Sequence, residues 1–349
     1  MKRVVLMIGL LIICQGCSGN PASNDTIDDD LVYVQPEEVG YSSDALQEAV
    51  SAAEASGYAA VMAVYDGKVF FSWGNTTRNF WCHSIRKPFL CSLFGIHVEE
   101  GDVNLDATLE DLGIDDIPPS LTQAEKQATV RDLLESRSGV YHEAAAETPD
   151  MANARPERGS HAPGTFFYYN NWDFNALGTI FEQETGTGIF REFESRIALP
   201  IGMQDFSVDS CDYGYELDKS MHPAYHFRMS ARDMARFGVL YQRNGMWNCR
   251  QLVPAEWIAE STTGYSVLEA ESGVLYGYMW YVFPEGSAVA DMIGAPGFYH
   301  TGVGVHVLVI VPQLKLVIVE RYDTDGDWQD PGEVGLELGL MIINSRLPD

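Results

Sequence analysis

Eight consecutive residues, Phe89-Leu90-Cys91-Ser92-Leu93-Phe94-Gly95-Ile96, carry almost no polar surface in any direction. A helix that is apolar all round must be enclosed on every side. The rest of the chain must therefore supply covering layers. At 349 residues it is long enough to do so as two domains, or as one large domain with an insertion. Hydrophobic residues at 46% and aromatics at 11% allow a sizeable core, with disorder expected only near the N-terminus.

The periodicity around this helix separates into ends and middle. Helical character begins at a Ser-Ser-Asp cap and covers residues 42–56. Apolar strands at 59–64 and 69–73 flank Asp66-Gly67, a hairpin signal. Helical signals dominate from about 129 to 261, over 130–136, 172–185, 189–197, 230–244 and 254–261. Strand patterns return at 276–282, 292–299, 305–311 and 316–322, before a last helical run at about 333–343. The expected class is α+β. An antiparallel sheet would be built from both chain ends, about 31–97 and 266–349, and flanked by helices. A mostly helical part would be inserted at about 98–265.

The N-terminus reads as a leader. Lys2 and Arg3 precede an apolar run from Val4 to Cys14, too short to span a bilayer and suited to a signal-peptide core over residues 1–17. Gly16-Cys17 resembles a bacterial lipoprotein cleavage site, with Cys17 the candidate for lipidation and membrane anchoring, although Cys14 stands where a Leu-like residue is usual. Residues 18–30 are polar, end in Asp28-Asp29-Asp30 and read as an acidic linker to a main domain at 31–349. The expected location is the periplasm or the outer membrane. Against 50 Asp and Glu stand 22 Lys and Arg, a net charge of −28 that argues against nucleic acid as a partner. Cys82, Cys91, Cys211 and Cys249 match no zinc spacing; they read as free thiols or, for Cys211 and Cys249, as a disulfide in an oxidising compartment.

Three elements carry chemistry. Ser84-Ile85-Arg86-Lys87 leads into the apolar helix, so Ser84 and Lys87 share one face, and helical side chains lean back towards the N-terminus. A serine hydroxyl needs a base, and a lysine whose pKa is lowered by burial can be one. Alone the spacing also fits a capping serine with a surface lysine. Pro88 cannot return a hydrogen bond to Ser84, which predicts a tight 3₁₀-like opening turn over 84–87. Tyr169-Asn170-Asn171 follows Pro163-Gly164 and sits on a loop at a helix start, where a tyrosine hydroxyl near a lysine can be poised as a base; within Phe166-Phe167-Tyr168-Tyr169 it could equally be packing. His300-Thr301-Gly302 leads into Val303-Gly304, where glycine admits a close backbone approach and the N–H after Gly302 could face an oxyanion; a β-bulge is the structural alternative.

In this order and at these separations, Ser84-x-x-Lys87, Tyr169-x-Asn171 and His300-Thr301-Gly302 resemble the three motifs of the serine β-lactamase and penicillin-binding protein superfamily, class C type. The stretches 128–140, 171–178 and 230–238 and Trp257 look similar too, so the resemblance covers about residues 36–345. It implies a β-lactamase/transpeptidase-like fold. It also implies acyl-enzyme hydrolysis of an ester or amide in a small-molecule or peptide substrate, without metal or cofactor. Ser84 would be the nucleophile, and Lys87 with Tyr169 the base. Asn171 would orient Lys87 and the acyl carbonyl, and the N–H groups of Ser84 and Val303 would hold the oxyanion. His300, Thr301 and Gly302 would line the substrate. The superfamily holds β-lactamases, DD-peptidases, D-aminopeptidases, esterases and 6-aminohexanoate-dimer hydrolases. His300 stands where β-lactamases carry Lys, and a largely neutral side chain there is poorly suited to a β-lactam carboxylate. β-Lactamase activity and a non-catalytic peptidoglycan- or β-lactam-binding module are the alternatives.

The other candidates are weaker. His222 and His226 have a helical ligand spacing but enclose Pro223 and lack an adjacent Glu. His142 and His161 lie near the second motif as possible pocket residues. Asp323, Asp325 and Asp327 alternate as in a calcium loop, yet position 332 holds Gly, so they read as an acidic turn.

Overall fold

The computed structural model describes residues 31–328 and 335–348; the leader at 1–17, with Cys17, and the acidic linker at 18–30 lie outside them. The main sheet has nine strands: β1 Val32–Tyr33, β2 Ala60–Tyr65, β3 Lys68–Gly74, β4 Ser266–Glu269, β5 Val274–Tyr276, β6 Tyr281–Phe283, β7 Gly297–Gly302, β8 His306–Val311 and β9 Leu316–Arg321. Their order is β1-β3-β2-β9-β8-β7-β6-β5-β4, so the two chain ends meet where β2 pairs with β9. Every neighbouring pair is antiparallel except β1 with β3, which makes the sheet mixed rather than purely antiparallel.

Alternation along the strands sorts the core onto two faces. Val317 and Val319 of β9 face one cluster, Leu316 and Ile318 the other. The first face packs against α2 Arg86–Glu100, α3 Asn171–Thr185 and α4 Ala231–Gln242, and the second against α1 Ser43–Ala55 and α5 Gly335–Asn344. With both faces covered, these strands read as nearly continuous apolar runs. The apolar octad lies in α2 and is buried throughout. Ser42 caps α1 by accepting from the Ala45 N–H at 3.2 Å. No helix among the described residues is long and apolar enough to cross a membrane.

Two strands differ from expectation. The pattern at 276–282 is a hairpin of β5 and β6, because Gly277 presses on the Ser261 carbonyl, 2.3 Å from where a Cβ would stand, and Met279 turns at φ 57°. The pattern at 292–299 is split between a helix, Ala288–Ile293, ended by left-handed Gly294, and the strand β7. β4 carried no clear sequence signal.

The Cys211–Cys249 bridge does not form. Cys211 is a free thiol 3.7 Å from the Ser207 carbonyl, whereas Cys249 lies in the turn between two short strands elsewhere. Asp323 and Asp325 close an acidic turn on Arg78 and Arg228.

Candidate active site

Pro88 shapes the entry to α2. His83–Ile85 forms a 3₁₀ turn, the Arg86 N–H returns to the His83 carbonyl, and the α-helix continues from there. His83 turns the chain at φ 46°, which sets Ser84 at the mouth of the buried helix. Lys87 is fully buried; its Nζ stands 2.8 Å from Ser84 Oγ and 2.7 Å from the Tyr169 hydroxyl. The amine also lies over the rings of Tyr169 and Phe174, at 4.5 and 4.6 Å. The first two motifs therefore converge on one amine.

Burial, followed by the charge of Arg86, holds Lys87 well below the usual lysine range. Burial pushes Tyr169 upward, opposed by hydrogen bonds from Ser84 and Tyr281 and by Arg86. Both effects favour a neutral amine beside a neutral phenol, with a base at hand near neutral pH. The two titrate as one unit.

The second motif is held from below. Asn170 caps α3 by accepting from the Trp172 N–H, and its amide donates to the Val140 carbonyl at 2.7 Å and to Asp173 at 2.9 Å. Ser136 accepts from the Asn170 N–H and donates to the Tyr168 carbonyl. Asn171, the first residue of α3, is placed differently from expectation. Its amide nitrogen donates to the Ala146 carbonyl at 2.6 Å rather than orienting Lys87, and its Oδ1 is buried without a partner. Ala146 sits at φ 58° with its N–H on the Glu216 carboxylate at 2.7 Å.

The third motif ends β7 beside the nucleophile turn. A Cβ on Gly302 would stand 2.6 Å from the Cys82 carbonyl and 3.1 Å from His83 Cβ, so here glycine admits the nucleophile's own backbone rather than a ligand's. Val303, 40% exposed, starts the tight turn Val303-Gly304-Val305 into β8, not a bulge. His300 does not line an open surface. It is fully buried, stacked on Tyr281 at 4.7 Å, with Nδ1 2.8 Å from the Thr301 carbonyl. A carbonyl only accepts, so Nδ1 carries the proton and Nε2, which has no partner, is a bare acceptor. Burial above all holds this imidazole well below its usual range, hence neutral.

Sequence reasoning missed the supporting residues. Arg86 is a buried guanidinium over the Tyr225 ring at 4.3 Å, donating to Asn175 Oδ1 at 3.1 Å; Asn175 in turn donates to the Ala145 carbonyl. Arg86 stood in view beside Lys87, but nothing in its surroundings along the chain marks it as buried. His161 stacks on Phe166 and meets the Tyr141 hydroxyl, and His222 bridges Thr179 and the Asp115 carbonyl; both are held by packing and hydrogen bonds. The nearest approach to a metal-ligand set among the described residues is His97, Glu100 and Asp102, at the far end of α2, where Asp102 and Glu192 already engage His97.

The β-lactamase family model matches residues 44–320, spanning the nucleophile turn, the second motif and the third. The chain belongs to the β-lactamase family. The chain is 30% identical over 193 residues to a D-aminopeptidase of Brucella anthropi, a match covering 46% of this chain and 35% of that protein, so it spans about a third of that relative's length. Among solved structures, an octameric penicillin-binding protein homologue from Pyrococcus abyssi superimposes with TM-score 0.64 at 19% identity, covering 87% of this chain and 78% of the other. A D-stereospecific amidohydrolase from Streptomyces does so with TM-score 0.60 at 19% identity, over 85% and 99%. The family is one of serine hydrolases, and the β-lactamase/transpeptidase-like fold is shared across these neighbours.

Proposed function

We propose that the protein hydrolyses amides or esters through an acyl-enzyme at Ser84, in preference to substrates that need a cation beside the third motif. The observation that carries this is the buried Lys87 amine, held against both Ser84 Oγ and the Tyr169 hydroxyl. Ser84 Oγ attacks the carbonyl carbon while its proton passes to the Lys87–Tyr169 pair. The oxyanion is held by the N–H groups of Ser84 and Val303. Tyr169 returns a proton to the leaving nitrogen or oxygen as its bond to carbon breaks. Water then attacks the acyl-enzyme, giving its proton to the pair, and Ser84 leaves with a proton regained.

The third motif supports this. His300 is buried and neutral, and so offers no positive charge to a substrate carboxylate. The D-aminopeptidase and amidohydrolase relatives are compatible with an amide of a D-amino acid. With residues 1–17 read as a leader, the reaction would take place outside the inner membrane.

A panel of D-alanine p-nitroanilide, p-nitrophenyl acetate and a chromogenic cephalosporin tests this reading, with Ser84→Ala as control. Turnover of the anilide or the ester, abolished in Ser84→Ala, with slow cephalosporin hydrolysis, is the expected result. Turnover surviving Ser84→Ala, or a cephalosporin as best substrate, would overturn it.

A further inference from the structure

His83 is the residue before the nucleophile and belongs to none of the three motifs. It carries its side chain at φ 46°, in the left-handed region that favours glycine. A backbone of this kind persists only where the surroundings hold it. Here the holding comes from three directions. The end of β7 closes on it, since a Cβ on Gly302 would stand 3.1 Å from His83 Cβ. The His306 ring at the start of β8 lies 5.3 Å from the His83 ring, tilted by 37°. From the turn after β9, the Thr324 hydroxyl stands 2.8 Å from His83 Nε2. Burial, then the charges of Arg321, Arg86 and Arg228, pushes the imidazole down to about 4. It is therefore neutral at neutral pH and can either donate to this hydroxyl or accept from it.

Thr324 is itself fixed. It is buried, and the aspartates on either side of it are anchored, Asp323 on Arg78 at 2.6 Å and Asp325 on Arg78 and Arg228 at 3.0 Å each. Two of the alternating aspartates of the acidic turn thus hold a threonine in place. The methyl group of that threonine faces the third motif. A Cβ on Gly304 would stand 2.4 Å from Thr324 Cγ2, so the Val303-Gly304-Val305 turn packs directly on it. One residue therefore touches both turns that carry the oxyanion donors, the nucleophile turn through its hydroxyl and the Val303 turn through its methyl group.

We infer that His83 and Thr324 are a positioning pair for acyl transfer: their hydrogen bond holds the left-handed backbone before Ser84 and sets the Ser84 and Val303 N–H groups at the spacing an oxyanion needs. The inference rests on the reading of Ser84 as nucleophile and of these two N–H groups as the oxyanion site.

A phosphonyl oxygen enters the oxyanion site as a fluorophosphonate reacts. The rate at which Ser84 is modified, followed by intact mass, therefore reads the pair without a known substrate. Thr324→Val keeps the methyl contact with Gly304 and removes the hydroxyl. It should slow modification about tenfold, the scale of one lost hydrogen bond, in a protein that stays folded by circular dichroism. His83→Ala should slow it by more. The double variant then separates a shared role from two packing roles. Side chains that act through their mutual bond leave His83→Ala with Thr324→Val no slower than His83→Ala alone, whereas independent roles multiply the two losses. His83→Gln, whose amide reaches close to the position of Nε2, should recover most of the rate that His83→Ala loses. A folded Thr324→Val modified within about twofold of the wild-type rate would overturn the inference, as would multiplied losses in the double variant. A folded His83→Gln as slow as His83→Ala would overturn it too. Should the His83 variants fail to fold, the rate of Thr324→Val decides alone. Wild-type protein that gains no adduct would sink the Ser84 reading itself, an outcome distinct from variants modified at an unchanged rate.

Discussion

Lys87 and Glu320 are buried ionisable side chains on opposite faces of one sheet. Lys87 enters the side packed by α2, α3 and α4; Glu320 follows Ile318 onto the side packed by α1 and α5. Burial drives both towards neutrality, Lys87 downward and Glu320 upward to about 8. Around Lys87 stand a nucleophile and a second hydroxyl acid, at the mouth of a strained turn. Around Glu320 stand the Tyr58 hydroxyl and the Gly339 backbone N–H, beneath two helices. Desolvation alone thus makes an unusual titration but not chemistry. Chemistry needs the neutral group to touch an attackable partner and the partner to reach substrate.

The comparison is broken most severely at Lys87. Lys87→Met keeps the length of the side chain and removes the amine, and should lower kcat/KM by about 10³-fold or more, the scale of lost general-base catalysis. Its stability should not fall, since a buried amine is replaced by an apolar chain of similar volume. Chemical denaturation beside a kinetic assay reads both. Gly302→Ala comes next. Its Cβ would meet the Cys82 carbonyl at 2.6 Å and push β7 from the nucleophile turn, so activity should fall by about 10²-fold in a protein that still folds.

On the opposite face the readout is stability. The folded pKa of Glu320 is raised from 4.5 to about 8, so the folded state keeps a proton that the unfolded state releases. The stability linked to that proton is present below pH 4.5 and is lost as pH rises towards 8, at up to roughly 1.4 kcal/mol per pH unit. Glu320→Gln should flatten that slope in urea unfolding series and leave kcat unchanged. The smallest effect is expected for Glu216→Gln. It weakens the hold on the Ala146 N–H, and through the Ala146 carbonyl on Asn171, and should raise KM several-fold with little change in the pH profile.

What the sequence made legible is what local physics controls. The Ser42 cap, the Asp66-Gly67 hairpin, the apolar α2 and the tight turn forced by Pro88 all follow from neighbours within a few residues. The spacing of Ser84 and Lys87 carried over directly, because a turn and a helix place i and i+3 together. The second and third motifs could be named but not aimed. Whether Asn171 turns to Lys87 or to Ala146 depends on a loop held by Glu216, and His300 is buried because Tyr281 covers it from the neighbouring strand. The break between β5 and β6 escaped for the same reason: Gly277 answers to the Ser261 carbonyl, not to its own neighbours. Arg86, Asn175 and Tyr281 are defined by partners far away in the chain.

The central claim is that burial beside Lys87 and Tyr169 makes Ser84 a nucleophile. The most direct measurement is the intact mass of the folded protein after incubation with a fluorophosphonate, with Ser84→Ala treated in parallel. The account predicts a single adduct on the wild type and none on the variant. A folded wild type that gains no mass, or an adduct of equal yield on Ser84→Ala, would contradict it.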